Sequence, residues 1–335
     1  MNHHPRLDTT TFAQLRQSPC ATVGFMITDR CPVGCSHCSV SSTSISHGPK
    51  SIQEQCERIA TMTADHRVRA LVITGGEPFG HPKELLAVLQ RANQNVLRAV
   101  HTSAYWGLKS NARIYSQILS NIDTLLIGID TFHGERIPRD AVVSALRAAQ
   151  AGGCWIVLQA LDLSDGSTSP HIELAETIAL EAFGEEWSRN AEIMPIPPIA
   201  AGRASMDARF SKPKRAGACG LVNGPILRHD GIMSACCNER VILGSGPSAL
   251  RIKVGENLPR ALSRLEQTPL VRMVRSLPPM HILELAESMT GLPSPVTSDT
   301  CSACWALGDL LESLSEDQVG RLASLVSIAS KATVK

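Results

Sequence analysis

Three cysteines, Cys31, Cys35 and Cys38, fall within eight residues of one another in the run Thr28-Asp29-Arg30-Cys31-Pro32-Val33-Gly34-Cys35-Ser36-His37-Cys38. Thiolates this close, on a loop bent by Pro32 and Gly34, can converge on one metal centre. A structural zinc normally takes four ligands, commonly as two Cys-x-x-Cys pairs or with histidine. His37 adjoins Cys38 and is badly placed to be the fourth. Three cysteines suit a [4Fe–4S] cluster that leaves one iron open for a small molecule. Packing alone is a poor reason to place three thiols on one Pro/Gly loop.

A second feature follows one β-α unit later, Thr74-Gly75-Gly76-Glu77-Pro78-Phe79. Glycines at the C-terminal end of a strand let a ligand approach the backbone, and the Glu77 carboxylate could hold an ammonium. Thr102-Ser103 offers hydroxyls after the next strand. Gly128-Ile129-Asp130-Thr131-Phe132-His133 follows the fourth. Asp130 reads equally as a ligand contact or a helix N-cap, and His133 as a locally bonded histidine.

A second cysteine set comes later. Cys219 is followed by 11 residues, Gly231, four residues and Cys236, and then far downstream by Cys301-Ser302-Ala303-Cys304. Asp230-Gly231 marks a hairpin turn that would bring Cys219 and Cys236 together. Taken alone, these four thiols suit zinc as well as iron. Cys237, adjacent to Cys236, could replace it as ligand or simply pack. Cys20, Cys56 and Cys154 sit on apolar faces, where small-hydrophobe packing is the default.

These groups need a scaffold. Apolar, β-branched runs at Ala21–Ile27, Ala70–Thr74, Val96–Thr102, Ile122–Ile129, Trp155–Leu161 and Ala191–Ile196 read as strands. Helical spacing fills Ser51–Thr63, with a Ser51/Glu54 capping box, and Pro82–Gln94, Leu108–Ser120, Pro138–Gln150 and His171–Phe183. Six β-then-α units predict an α/β fold, a parallel sheet with helices outside and chemistry beyond the strands' C-terminal ends. Gly202–Arg215, with Arg203, Arg209, Lys212, Lys214 and Arg215, reads as a basic linker. Cys219–Cys304 reads as irregular, Thr290–Thr300 as a loop and Glu312–Ser330 as a closing amphipathic helix.

The 335 residues are enough for a large core, and the formal charge of +1 excludes a strongly basic nucleic-acid or anionic-membrane binder. No apolar run reaches the roughly 18 residues of a membrane span. Met1–Cys20 is polar and carries no signal-peptide segment. A cytoplasmic protein without membrane or nucleic-acid partners is expected. Its 11 cysteines then require metal, redox or packing roles.

Cys31, Cys35 and Cys38 followed by Gly75–Pro78 resemble the radical S-adenosylmethionine (radical SAM) superfamily. The resemblance implies a partial (β/α)6 barrel, a [4Fe–4S] cluster on the three cysteines, and S-adenosylmethionine (SAM) bound to its open iron. It assigns Gly75, Gly76, Glu77 and Pro78 to the methionine amino group, and makes Ser103 and Asp130 candidates for the methionine, ribose or substrate. His37 stands where an aromatic residue commonly packs near the adenine. Pro198 and Gly202-Arg203-Ala204 resemble the stretch that closes the sixth strand near the adenosine.

Beside such a core, Cys219, Cys236, Cys301 and Cys304 resemble a SPASM/twitch extension holding one auxiliary [4Fe–4S] cluster. The expected organisation is an N-terminal extension over 1–20, a barrel over 21–205, a small irregular iron–sulfur domain over 206–310 and a C-terminal helix over 311–335. The implied activity is SAM cleavage to a 5′-deoxyadenosyl radical and hydrogen abstraction, cross-linking, oxidising or epimerising a ribosomally made peptide. Cys237 is a candidate hydrogen donor for the last outcome. An alternative is a dehydrogenase or epimerase of an aminocyclitol or sugar alcohol, and a remote one is a non-catalytic zinc protein. An electron donor such as flavodoxin or ferredoxin is implied. Met1–Arg30 is too short for a fused leader-peptide recognition domain, which weighs slightly against the peptide reading but leaves room for a separate leader-peptide recognition protein.

Overall fold

The computed structural model describes residues 6–48, 51–162, 169–197, 202–206, 217–254, 257–297 and 299–333. In chain order, α1 (Thr9–Leu15), β1 (Thr22–Met26), α2 (Ile52–Thr63), β2 (Ala70–Thr74), α3 (Pro82–Arg91), β3 (Leu97–Thr102) and α4 (Arg113–Leu119) come first. They are followed by β4 (Thr124–Ile129), a short α5 (Thr131–Gly134), α6 (Arg139–Ala151), β5 (Trp155–Leu161), α7 (Pro170–Phe183) and β6 (Ala191–Ile196). Strands β1 to β6 pair in sequence order, each parallel to the next. That is the α/β, mostly parallel arrangement the β-α rhythm predicts.

The sheet does not stop at six strands. After β6 come β7 (Ile226–Arg228), β8 (Ile232–Ser234), α8 (Glu239–Ile242) and β9 (Arg251–Lys253). They extend the other edge to give the order β6-β5-β4-β3-β2-β1-β7-β8-β9. β7 joins β1 in parallel, and the β7–β8 hairpin turns at Gly231, whose φ of 84° suits glycine.

Alternation along the strands divides the residues between two faces. Val23, Phe25, Leu71, Ile73, Leu125, Ile127, Ile156 and Leu158 face outward into a core shared with Ile59 and Met62 of α2, Leu85 and Leu89 of α3 and Leu146 of α6. Each such aliphatic or aromatic side chain contributes about 1.5–3 kcal/mol by leaving water. On the inner face, Ala70 and Ala99 pack with Leu7, Phe12 and Leu15, so the chain ahead of β1 stoppers the barrel. Polar contacts hold it there: Leu7 N–H donates to Thr124 Oγ1 (2.9 Å), and Thr9 N–H and Oγ1 donate to the Glu192 carboxylate (2.7 and 2.8 Å). Nearer the strands' C-terminal ends, the inner-face residues Thr74, His101, Leu126 and Gln159 are only half-buried.

The region expected to be irregular is mostly helical. It contains α9 (Leu258–Gln267), α10 (Pro269–Ser276), α11 (Pro279–Thr290) and α12 (Thr300–Ser313). Its prolines do not break helices but stand at the first or second position of α9, α10 and α11, where the missing N–H costs nothing. The closing helix is also different: α12 ends at Ser313 and a separate α13 (Glu316–Thr333) begins. The cause is a capping box, in which Ser315 Oγ accepts from Gln318 N–H and Gln318 Oε1 accepts from Ser315 N–H.

At Ser51 the expected box is half made. Ser51 Oγ accepts from Glu54 N–H, while the Glu54 carboxylate turns to Arg58. Leu108–Ser120 holds a 3₁₀ turn at Gly107–Lys109 and then α4, in place of one helix. The linker residues Arg209, Lys212, Lys214 and Arg215, and Pro198, lie outside the described residues.

Candidate functional site

The C-terminal end of β1 delivers the Cys31–Cys38 loop to the mouth of the barrel. Cys31 N–H donates to Thr43 O (2.9 Å) and Asp29 N–H to His47 O (3.1 Å), which folds the loop back on itself. Cys31 and Cys35 are buried and Cys38 is half-buried. Burial pushes the Cys31 thiol up to about 11, against backbone N–H groups of Gly34 and Val33 that point at its sulfur, while Glu77 and Cys35 raise it further. Crowded thiols of this kind stay neutral until a metal supplies positive charge. From the other side, Arg203 grips the loop: its Nε donates to Cys35 O and its backbone N–H to Cys38 O, both at 2.9 Å. The fit at Gly202 is tight, since a Cβ there would lie 2.4 Å from Ser39 O.

Gly75–Pro78 lies against this loop. Gly76 N–H donates to Thr28 O (2.7 Å) and Glu77 N–H to Arg30 O (3.0 Å). A Cβ on Gly76 would lie 2.2 Å from Arg30 O, so only glycine permits the approach. The Glu77 side chain, 1% exposed, turns away from solvent. Its Oε1 accepts from Phe79 N–H (3.0 Å) and Thr102 Oγ1 (2.7 Å), and its Oε2 from Ser103 N–H (2.8 Å) and Ser103 Oγ (2.5 Å). Burial raises the Glu77 pKa although all four donors favour its ionised form. The Glu77 carboxylate and the Ser103 hydroxyl are therefore committed to each other, tying the end of β2 to the end of β3. What this stretch offers a ligand is its backbone.

Beyond β4, Asp130 caps α5. Its Oδ1 accepts from His133 N–H (2.8 Å), while Oδ2 lies 2.6 Å from His133 Nδ1 and 3.3 Å from His37 Nε2. Burial alone would raise the Asp130 pKa, but the two imidazoles hold it far below the usual carboxylate range. Burial likewise opposes a charged His133, yet the Asp130 carboxylate and the nearby Cys35 thiol hold it up at about 10. His37 stacks on Phe132 with ring centroids 4.7 Å apart and meets His133 edge-on at 4.8 Å. Among the described residues, His37, Asp130 and His133 are the group of three whose ligand-type atoms all lie within 4.8 Å of one another. His101, on the inner face of β3, is pushed down to about 4 by burial and then by His133, while Gln159 opposes. Sequence reasoning missed His101 and Gln159. Strand alternation from Ala99 would have put His101 on the inner face, but nothing in the spacing couples it to Gln159.

The second cysteine set also converges. Cys236 and Cys304 are buried, which raises both thiols; Cys237, Cys219 and Cys304 raise Cys236 further, and Cys219 and Cys301 raise Cys304. Cys301 and Cys304 lie in the first turns of α12, capped by Asp299, where the helix dipole favours thiolate. Asn238, which the sequence did not single out, joins the set: its Nδ2 donates to Cys301 Sγ (3.3 Å) and its backbone N–H points at the Cys236 sulfur. Cys237 faces elsewhere. It packs beside Met26, Ile226 and Ile242, and Arg16 Nη2 donates to its sulfur at 3.4 Å.

The two sets stand at opposite ends of β1. The first follows Met26. The second follows Ser234, which pairs with Ile226 and through it with Gly24 on the way back. Five residues of strand separate the ends by roughly 15 Å. Of the remaining cysteines, Cys20 and Cys154 are buried in the main core and Cys56 packs against it. No helix among the described residues is long and apolar enough to cross a membrane.

A family model for the radical SAM superfamily matches residues 25–164, the stretch that carries the Cys31–Cys38 loop, Gly75–Pro78 and Asp130. Among solved structures, Streptococcus suis SuiB bound to S-adenosylmethionine is similar with a TM-score of 0.51 and 14% identity, covering 79% of this chain and 70% of that one. The same protein bound to its precursor peptide SuiA gives 0.50 and 12%, covering 80% and 69%. At these identities the likeness carries the fold alone. No curated protein matches the chain.

Proposed function

We propose that the chain is a radical SAM enzyme that abstracts a hydrogen atom from an unactivated C–H bond of a ribosomally made peptide. The observation that carries this reading is the Cys31–Cys38 loop, whose lead-in residues Thr28 and Arg30 are held by the backbone N–H groups of Gly76 and Glu77, inside the stretch matched by the superfamily model. The donor set fits an iron–sulfur centre. Three cysteines on one loop, two of them buried, are one ligand fewer than a structural zinc takes and match a [4Fe–4S] cluster with one open iron. When bound, a [4Fe–4S] cluster on Cys31, Cys35 and Cys38 supplies the electron that cleaves SAM to methionine and a 5′-deoxyadenosyl radical.

The chain's own residues do the rest. Carbonyls of Gly75–Pro78 receive an ammonium, and the Glu77–Thr102–Ser103 bonds keep that backbone in place. His37 and Phe132 offer a stacked flat surface for a purine. The segment ahead of β1 closes the far end of the barrel, so that a ligand enters from the mouth and water is kept from the base. Cys219, Cys236, Cys301 and Cys304 hold one auxiliary cluster. A peptide substrate is supported by one structural neighbour, which is described with a precursor peptide bound.

Anaerobic reconstitution followed by iron and sulfide counting tests the reading. About eight irons per chain are expected for two [4Fe–4S] clusters. Replacing Cys31, Cys35 and Cys38 with alanine should remove about half of them and abolish 5′-deoxyadenosine formation. A triple variant that still cleaved SAM, or a parent protein that took up zinc alone, would overturn the proposal. Linear peptides and aminosugars carrying deuterium separate the substrate classes by label recovered in 5′-deoxyadenosine.

A further inference from the structure

We propose that the cavity between strands β7–β9 and the end of α8 receives an acidic side chain of the substrate, held by Lys253 and Arg251 and flanked by Arg228. It rests on the reading of the substrate as a peptide.

The cavity continues the inner face of the sheet at its mouth end. Leu227 of β7 and Met233 of β8 enter the main core, so by alternation Ile226, Arg228, Ile232 and Ser234 face the other way. That face is continuous with the inner face of β1, because Ile226 covers Gly24. The register of β8 with β9 sets Lys253 beside Ile232 and Arg251 beside Ser234. Arg228 stands level with Met26, the last residue of β1. Its Nη2 approaches Asp29 Oδ2 at 3.5 Å, two residues ahead of Cys31. Three strand spacings of about 4.8 Å separate β1 from β9, a span that an extended peptide crosses in about four or five residues.

About 560 Å³ of space opens here, within the range of sites that take small ligands. Its wall combines the aliphatic Ile232, Ile242 and Leu243 with three cations, Arg228, Arg251 and Lys253, and one acid, Asp230. The acid is already engaged. Asp230 Oδ1 accepts from Ile232 N–H (3.1 Å), and Oδ2 pairs with Arg228 Nη2 (3.1 Å). Arg228 Nη1 donates to Ile242 O (2.7 Å), which fixes the guanidinium, and its Nε is buried without a hydrogen-bond partner. Arg251 donates to Ser245 O and, at 3.1 Å, to Gly246 O, both neutral carbonyls. Lys253 is exposed and pairs with none of the described residues. The charges of Arg251 and Lys253 thus meet no carboxylate among the described residues, and one entering the cavity would make charge-assisted bonds there. The aliphatic wall beside the cations suits the methylene stem of a glutamate. Concavity favours a side chain over the broad face of an acidic electron-donor protein.

The test uses the reconstituted full chain and two acetylated hexapeptides, Leu-Glu-Leu-Glu-Leu-Glu and its glutamine counterpart. At low salt the glutamate peptide should bind about fivefold tighter, an advantage that shrinks as salt rises. A carbodiimide, which joins amine to carboxylate without a spacer, should cross-link it to Lys253 in preference to the exposed Lys83 and Lys109. Lys253→Glu should keep the parental iron content and lose the preference, and Lys253→Arg should retain it. Equal binding of the two peptides, or a preference that survives in Lys253→Glu, overturns the proposal. So does a glutamate peptide that is not held while a flavodoxin is cross-linked at Lys253, which would give the surface to the electron donor. If deuterated peptides pass label to 5′-deoxyadenosine and the glutamate peptide has no advantage, the inference falls and the peptide reading stands. If no peptide passes label, both fall.

Discussion

Replacing Gly76 with alanine should damage the site far more than the fold. The new Cβ would lie 2.2 Å from Arg30 O and 2.5 Å from Arg30 C. Ordinary carbon contacts begin near 3.5 Å, so the two backbones must part by more than about 1 Å. That movement breaks or stretches the bonds from Gly76 N–H to Thr28 O and from Glu77 N–H to Arg30 O. Overpacking costs about 1–3 kcal/mol and each lost bond about 1 kcal/mol. Alanine's smaller unfolded-state entropy returns about 0.4–1 kcal/mol, leaving a net loss of roughly 3 kcal/mol. At about 2.1 cal/mol/K per residue, the 335 residues give an unfolding entropy near 0.7 kcal/mol/K. The melting temperature should therefore fall by only about 4 °C.

Catalysis responds to the displacement itself. A misplacement of about 1 Å at a reacting centre can cost about 100-fold, so 5′-deoxyadenosine formation should drop by that order in protein that is still folded at 25 °C. Gly320→Ala is the matched control. Gly320 lies in α13 with nothing within 4 Å of an added Cβ, and alanine there should raise the melting temperature by about 1 °C. Circular-dichroism melts and chromatographic assay of 5′-deoxyadenosine read both effects. If Gly76→Ala melts with the parent, the packing argument is wrong. If it melts lower yet cleaves SAM at the parental rate, the positioning argument is wrong.

Three other outcomes are expected. Asn238→Asp keeps the cap on α8, where Oδ1 accepts from Arg240 N–H at 2.9 Å, but replaces the donor to Cys301 with negative charge. It should fold normally and retain less iron at the second set, and parental iron content would count against Asn238 as a sulfur donor. Cys236→Ala should lower iron by about half while Cys237→Ala leaves the count unchanged, because Cys236 lies beside Cys219 and Cys304 whereas Cys237 packs against the Met26, Ile226 and Ile242 cluster; equal losses would refute this division. Asp65, whose side chain is 4% exposed, is bridged by Arg67 at 2.9 and 2.6 Å, and that bonding holds its pKa below the usual value against burial. Asp65→Asn should cost about 1–3 kcal/mol at pH 7. A depressed folded-state pKa gives stability that is present above the unfolded value of about 3.9 and is lost as pH falls through the folded one. Parent and variant melts should thus converge in acid, and a constant difference would contradict the assignment.

How much could be read from the sequence depended on the range of the interaction. Ala70–Thr74, Trp155–Leu161 and Ala191–Ile196 are strands to the residue, since β-branched runs and flanking turn residues are local signals. Cys31, Cys35 and Cys38 and the Gly75–Gly76 pair were legible for the same reason. Prolines misled at α9, α10 and α11, where the residue that breaks a helix also starts one. The pairing of β7 with β1 joins residues some 200 apart, and no periodicity records it. Glu77 shows the same limit in the site. Its carboxylate looked available because its partners, Thr102 and Ser103, come from the end of another strand.

The Cys236-Cys237 dipeptide shows what geometry adds to composition. Sequence treats the two thiols as interchangeable candidates for one ligand position. Just past a strand, however, consecutive side chains leave on opposite sides. Cys236 turns to Cys219 and Cys304, whereas Cys237 lies with Met26 and Ile226. Ile226 also covers Gly24, which, two residues before Met26, shares its face of β1. Counting in twos from Gly24 and Met26 leads across the register to Ala70, Val72 and Thr74, the inner face of the barrel. Cys237 thus belongs to the inner side and Cys236 to the outer one. A thiol on the inner side is where a hydrogen donor to a substrate radical would have to be. It bonds Arg16, at the end of the helix that stoppers the barrel, while the cluster it packs against includes Met26, the last residue of β1 before the Cys31–Cys38 loop. Replacing Cys237 with alanine should then abolish any entry of solvent deuterium into product while leaving 5′-deoxyadenosine formation intact, and incorporation that persisted would rule the thiol out as the donor.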